Sequence, residues 1–461
     1  MKKTTSILSN LVLIIVLMLS PAFTGKLLAQ PPAGTPVIEM TTNASGATVR
    51  IRMQAATSST PVWIQTAPNT YTQVTVGTSW TSWVNYTPTG TSLRVHGALR
   101  YFDCSGTGSS STSRSPVSAL NVSGNTALQQ LYCNYTQLTS LNLSGLTRLS
   151  SLSCYSNQLT SLNLTGLSNL TSLSCYNNQI TTLGKLTGLS ALQYLYCYNN
   201  QLTSLDLTGL TKLYYVSCYN NKITTLGNLT GLTALQYLYC YNNELSSLDL
   251  SGLTRLRYLR CYSNELSSLD LTGLSALQEL HCGSNELTSL DLTGLNALKT
   301  FECYDNPCVS TTYGLDTIYC KLPQRTASDN ARIYVTTEST PEPFVLATNG
   351  TNANNNNWKV YGRRGSSTGS VYEITNTTGR YVCGTVLVTG VTLSPITLSL
   401  IPGETANIIA TVLPTNASNK SLTWSSNNTS AVKVSAGETE GTAVVTAGAT
   451  ADTATITVTT E

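Results

Sequence analysis

Three residue types in this 461-residue chain combine reactive or adhesive chemistry with suggestive spacing: 13 cysteines, 25 tyrosines and 2 histidines. Cysteine can supply thiolates for metal, disulfide or nucleophilic chemistry, histidine can supply acid–base or metal chemistry, and tyrosine supplies aromatic contact with a polar tip. The histidines, His96 and His281, lie far apart in the sequence. His281 stands beside Glu279 at a strand position that the repeat pattern makes exposed, which suits a surface histidine. No metalloprotease helix, phosphate loop, nucleophile elbow or paired zinc ligands occur. The expectation is therefore no catalytic residue, no cofactor, no metal and no enzyme.

The cysteines are periodic. From Cys133 through Cys154, Cys175, Cys197, Cys218, Cys240, Cys261 and Cys282 to Cys303, the steps are 21, 21, 22, 21, 22, 21, 21 and 21 residues. Cysteines in register on parallel strands sit about 4.8 Å apart with parallel Cα–Cβ vectors, whereas a disulfide needs Cβ atoms at about 3.8 Å turned towards each other. The ladder thus reads as a column of buried thiols acting as small hydrophobes. Cys308 and Cys320 stand outside it, and in an exported chain they are the expected disulfide pair. Cys383 is a rival partner, and Cys320 also fits as another rung.

Around each ladder cysteine the phrase Leu-x-x-Leu-x-Cys-x-x-Asn-x-Leu recurs, as in Leu192-Gln-Tyr-Leu195-Tyr-Cys197-Tyr-Asn-Asn200-Gln-Leu202. This is a leucine-rich repeat with cysteine in a leucine slot. Alternation about the second leucine predicts a short strand, and successive strands pair into a parallel sheet on the concave face. The asparagine can satisfy backbone groups where the chain leaves the sheet, and only the first copy departs, with Thr136 there. A 21-residue coil leaves no room for a full outer helix, so extended or 3₁₀ backbone is expected. The 22-residue steps place their extra residue outside, at Leu183-Gly-Lys-Leu186 and Leu226-Gly-Asn-Leu229. The array resembles the bacterial internalin class, most closely its internalin J type, whose 21-residue repeats also carry a cysteine ladder. That resemblance implies attachment to host cells or between cells.

The expected fold is mainly β: a leucine-rich repeat solenoid with a parallel β-sheet on the concave face, an N-terminal β cap and a C-terminal Ig-like β-sandwich. Residues 1–29, with Lys2-Lys3, an apolar run and Leu27-Leu28-Ala29, read as a signal peptide. Without it 22 basic side chains face 22 acidic ones, a balance against nucleic-acid partners. Residues 30–98 alternate as strands, including Thr48 to Met53, Val62 to Ile64, Tyr71 to Val76 and Ser79 to Val84, and suit a cap whose Trp63, Trp80 and Trp83 are core. The array spans 99–306, opening on a degenerate repeat, Leu99 to Cys104, with a flexible Ser/Gly-rich insert from Ser105 to Pro116. Residues 307–385 read as worn-down coils and a second cap, Leu315-Asp-Thr-Ile318-Tyr-Cys320 partly recovering the motif. Residues 386–461 carry about seven short strand patterns, Ile396 to Leu400 among them. Their Val391-Thr-Leu-Ser394, Leu413-Pro414 and Lys420-Ser-Leu-Thr-Trp424 resemble bacterial Ig-like group 2 domains, which implies a surface spacer.

The side chains flanking the second leucine and the cysteine must point out of the concave sheet, and there the tyrosines gather. Tyr194, Tyr215, Tyr237 and Tyr258 precede that leucine or its replacement Val216. Tyr196, Tyr239 and Arg260 follow it, and Tyr176, Tyr198, Tyr219, Tyr241, Tyr262 and Tyr304 follow the cysteine. One such column could simply stabilise neighbouring strands, but three adjoining columns point to a binding face. The expected protein is secreted or cell-surface, an adhesin or interaction protein with no transmembrane segment. Its expected partner is a host-cell or bacterial surface protein, with a glycan as the alternative.

Overall fold

The computed structural model describes residues 30–460 apart from 111, 339–342, 365–368, 380–382, 384–389, 414–419, 438, 440 and 451. The expected signal peptide, 1–29, lies outside these. The frame of the molecule is one sheet of 15 strands. Its middle is parallel and in register, with one three-residue strand per coil from Gln130–Tyr132 to Thr300–Glu302. Leu128, Leu131, Cys133, Leu138 and their equivalents point inward from every coil and are buried. No coil could bury this set alone, so stacking of neighbours makes a continuous core. Between these strands, from 133 to 299, the outer backbone forms turns and extended segments with no helix.

Each coil turns off the sheet through the same polar device. Asn221 Nδ2 donates to the carbonyls of Cys218, Cys197 and Tyr219 at 3.0, 3.2 and 3.3 Å, while its Oδ1 accepts from Leu202 N at 3.0 Å. One amide thereby satisfies donors and acceptors on two coils. The residue before it has positive φ in every coil, between 50° and 57°, and is Asn, Ser or Asp except for Tyr135. Short polar side chains tolerate that left-handed geometry best. In the first copy Thr136 Oγ1 reaches Cys133 O at 3.0 Å and pairs with Asn157 Oδ1.

The N-terminal cap divides between two sheets. Val49–Ala55 pairs antiparallel with Leu99–Asp103 and so extends the long sheet, while Val37–Thr42, Thr60–Ala67, Thr70–Val76, Ser92–His96 and Val117–Asn121 form a five-stranded sheet. The stretch Ser79 to Val84 is not a strand; pairing begins at Val84–Tyr86. The insert 105–116, expected to be flexible, is pinned instead. Arg114 Nη1 donates to Thr136 O and Ser156 O, both at 2.7 Å, and a Cβ on Gly106 would stand 2.5 Å from Ser115 N.

At the far end two enlarged coils continue the sheet through Ala331–Thr336 and Trp358–Arg363. Here the expected repeat motif from Leu315 to Cys320 is overturned: it lies in an α-helix, Thr312–Lys321, capped by Thr311 and burying Leu315, Ile318 and Tyr319. Those positions share one helical face, and the longer coil has the room that a 21-residue coil lacks. The expected Cys308–Cys320 bridge is also overturned. Cys320 is bonded to Cys383, and Cys308 is a free, half-buried thiol. All ten cysteines from Cys104 to Cys303 are free and buried.

The C-terminal module pairs Gly390–Ser394, Thr405–Leu413, Thr442–Ala447 and Val432–Ala436 in one sheet, and Leu422–Ser426 with Ile456–Thr460 in another. The segment 396–400, expected as a strand, is unpaired, with Ile396 84% exposed. No helix among the described residues is long and apolar enough to cross a membrane.

Candidate functional site: the concave face

Because the strands are in register, equivalent side chains on the concave face form straight columns about 4.8 Å apart per step. Three behave differently. The column after the cysteine is a stack: Tyr155, Tyr176, Tyr198, Tyr219, Tyr241 and Tyr262 lie face to face with centroids 4.3–4.4 Å apart and planes within 8–12°. Tyr135 closes one end edge-on. At the other end Gly283 stands where a tyrosine would, and the ring of Tyr304 occupies the space its Cβ would need. Tyr304, expected in the exposed column, is 1% exposed.

Stacking consumes the ring faces of Tyr176, Tyr198, Tyr219, Tyr241 and Tyr262, so this column offers edges and hydroxyls rather than flat faces. Burial and neighbouring phenols raise the pKa values of Tyr176 and Tyr241, and push Tyr198 up to about 12. These three hydroxyls therefore remain protonated near neutral pH. Beside them runs a second amide ladder, Asn199 to Asn177, Asn220 to Asn199 and Asn242 to Asn220, with bonds of 2.6–2.7 Å.

The other two columns are less regular. Tyr237 stacks on Tyr258 at 4.7 Å, but Tyr194, Tyr196, Tyr215 and Tyr239 meet their neighbours tilted or edge-on at 4.9–6.4 Å. Tyr194 is 37% exposed. Half-buried Tyr214, one position before Tyr215, joins the cluster through Tyr194 and Tyr237. Arg260 lies over the Tyr239 ring at 5.1 Å and binds Glu279 at 2.6 Å.

Past Arg260 the face becomes a charged cluster. His281 Nδ1 is 3.3 Å from Glu302, Nε2 is 3.1 Å from Glu279, and Arg363 pairs with Glu302. His281, expected to be exposed, is 8% exposed, and its Nε2 has no aligned hydrogen-bond partner. Both carboxylates are already matched by arginines. Burial therefore dominates, with the positive fields of Arg260 and Arg363 adding to it, and lowers the imidazole pKa to about 3.

The sequence reading also missed the near end of the face. Trp63 is buried as expected, but Trp80 and Trp83 are only partly buried. Arg52 lies 4.5 and 4.6 Å from their centroids while binding Asp103, and Arg50 also lies over Trp83 at 3.9 Å. Trp80 packs on Tyr101 and Tyr132 at 5.7 and 6.0 Å. The signal available was the register: Tyr101 and Tyr132 belong to the same columns as Tyr194 and Tyr196. Among the described residues no group of acidic, histidine or cysteine side chains has the arrangement of a metal site.

Comparison with known proteins agrees with the repeat phrase. The family of Leucine Rich repeats (2 copies) matches residues 168–209, 190–231, 208–253 and 233–276, and the Bacterial Ig-like domain (group 2) matches residues 387–461. An Ig-like virion protein of Serratia phage KSP90 is 46% identical over 71 residues, 15% of this chain and 28% of that protein. Among solved structures, the functional domain of InlJ from Listeria monocytogenes, which includes a cysteine ladder, is 30% identical, with 56% of this chain and 53% of that one covered and a TM-score of 0.46. Internalin C2 of the same organism is 30% identical over 39% of this chain and 78% of its own, with a TM-score of 0.34. The chain carries leucine-rich repeats and a C-terminal bacterial Ig-like domain (group 2). It spans just over half of the InlJ domain and about a quarter of the virion protein.

Proposed function

We propose that the protein is an exported surface adhesin or interaction protein that grips its partner with the tyrosines of the central concave face. The observation that carries this reading is the irregular cluster from Tyr194 to Tyr258, whose rings are not fully used in packing on one another. Interfaces concentrate their energy in a few aromatic anchors, and tyrosine loses little rotamer freedom on binding. The regular stack from Tyr155 to Tyr262 serves the strands first and the partner second. A host-cell or bacterial surface protein is the expected partner. Export depends on the leader at 1–29, and the Ig-like module acts as the spacer.

The test is flow cytometry with the fluorescently labelled chain lacking its leader, on host epithelial cells and on bacteria. Tyr237→Ala, Tyr239→Ala and Tyr258→Ala together should weaken binding at least about tenfold, as expected for the loss of one anchor or more. Thr211→Ala with Thr254→Ala, on exposed outer turns, should bind as the parent does. A triple variant with unchanged circular dichroism and undiminished adhesion would move the site away from this cluster.

A further inference from the structure

The tyrosine columns are interrupted. Between Tyr132 and Tyr196 one column carries only Ser153 and Ser174, and between Gln130 and Tyr194 its neighbour carries only Ser151 and Ser172. Three strand steps separate the walls, about 14 Å between Cα atoms, or about 10 Å once ring thickness and van der Waals contact are taken from each side.

Both walls turn unpaired aromatic surface to this gap. The ring partner of Tyr196 is Tyr215, 4.9 Å away on the side remote from the serines, and the ring partner of Tyr132 is Trp80, also on the remote side. On the floor, Ser153 bonds Asn134 at 2.7 Å, while the hydroxyls of Ser151, Ser172 and Ser174 are partly exposed and make no side-chain hydrogen bond among the described residues. One flank is the hydroxyl edge of Tyr155 and Tyr176. Arg52, the charge nearest the Trp80 wall, is neutralised by Asp103 at 2.8 Å.

We infer that this cleft, walled by Tyr132 with Trp80 and by Tyr196 with Tyr194, binds a neutral saccharide chain. The inference rests on the concave face being a recognition surface and names a ligand class for a part of it distinct from the Tyr237 to Tyr258 cluster. A pyranose presents apolar C–H faces and a rim of hydroxyls. The first suit aromatic walls, and the second exchange O–H···O bonds with serine and phenol hydroxyls, which both donate and accept. A peptide strand fits less well. It needs backbone partners, and every strand flooring the cleft has its backbone paired on both sides. The serine floor itself presents no cation to an anionic chain.

The experiment is saturation-transfer NMR and calorimetry of the chain lacking its leader with chitotetraose, cellotetraose and lacto-N-tetraose, and with a proline-rich peptide and a heparin tetrasaccharide for comparison. At least one neutral oligosaccharide should bind. Tyr132→Ala and Tyr196→Ala should each weaken it at least about tenfold, as loss of a stacking anchor does. Tyr196→Phe should retain it, and Ser174→Leu, which fills the floor, should abolish it. The triple variant at Tyr237, Tyr239 and Tyr258 should bind the saccharide normally while losing adhesion, which separates this proposal from the broader one. No neutral ligand, binding only of the peptide or heparin fragment, or binding that survives Ser174→Leu would overturn the cleft. Adhesion lost only in the triple variant would then leave the surface reading standing.

Discussion

A buried imidazole between two carboxylates would ordinarily keep its proton, yet burial, with Arg260 and Arg363 already claiming Glu279 and Glu302, lowers the pKa of His281 and leaves it neutral. The consequence for stability has a definite sign. The unfolded chain takes up a proton near pH 6.5, and the folded one does so only near pH 3. Between those values the unfolded state binds more protons, so this residue's contribution is complete above pH 6.5 and falls as the pH drops towards 3. From pH 7.5 to 5.5 the loss is about 1 kcal/mol. Burial raises the pKa of Glu302, which opposes the histidine at its own, more acidic end of the range. Urea melts of the parent and His281→Asn should therefore converge by about 1 kcal/mol between pH 7.5 and 5.5. A constant difference would show that the imidazole is charged in the fold. The sequence placed His281 on an outward strand position, but there it is buried beside Glu279 and Glu302, the latter held by Arg363 two strands further on, which no local pattern reveals. The ladder cysteines are the opposite case. Register alone made them parallel and unbridged, and burial raises their thiol pKa values well above the ordinary range, as at Cys197 and Cys218.

Among elements, the coil is the unit that the sequence spelled out. Its strand, cysteine and asparagine follow from a repeated phrase because each contacts its own copy one coil away. The asparagine amides make the tightest demand. Asn285 Nδ2 donates to Cys261 O, Cys282 O and Gly283 O at 3.1, 3.1 and 3.2 Å, and its Oδ1 accepts from Leu266 N at 3.1 Å. Asn285→Ala orphans these groups in an 8% exposed site and should cost about 2–4 kcal/mol, more than one buried unsatisfied group. Asn285→Thr should recover part of it, because Thr136 fills the equivalent place in the first copy. Chemical denaturation of the two variants measures both effects, and a loss below about 0.5 kcal/mol from alanine would show the amide to be dispensable. Where repetition stops, local reading fails. Leu315, Ile318 and Tyr319 satisfy a helical face as readily as a repeat motif, and only the length of the coil decided between them. Likewise Cys320 had two candidate partners, and the choice of Cys383, 63 positions further along, was made by chain folding over that distance.

At the scale of the whole molecule, a stack of identical coils has two raw ends, and the long sheet ends differently from how it propagates. Antiparallel strands close it at both extremes: Val49–Ala55 and Val84–Tyr86 at one end, Val371–Glu373 at the other. The N-terminal cap also supplies Trp80 to the concave face, so it shapes the binding surface as well as shielding the first coil. The Ig-like strands, by contrast, pair only with one another among the described residues. Nearest-neighbour stability then predicts unequal truncations. Removing residues 30–98 strips the partner from Leu99–Asp103 and uncovers Leu99 and Phe102, both 0% exposed in the intact chain. Exposing such a face should lower the thermal midpoint of the repeat array by more than about 5 °C or leave the protein insoluble. Removing residues 387–461, which keeps Cys383 and its bond to Cys320, should leave the array midpoint within about 2 °C. Calorimetry of the two truncated chains beside the parent would decide it. If deleting the Ig-like module destabilised the array as much as deleting the cap, the two would form one cooperative unit, and the module could not serve as an independent spacer.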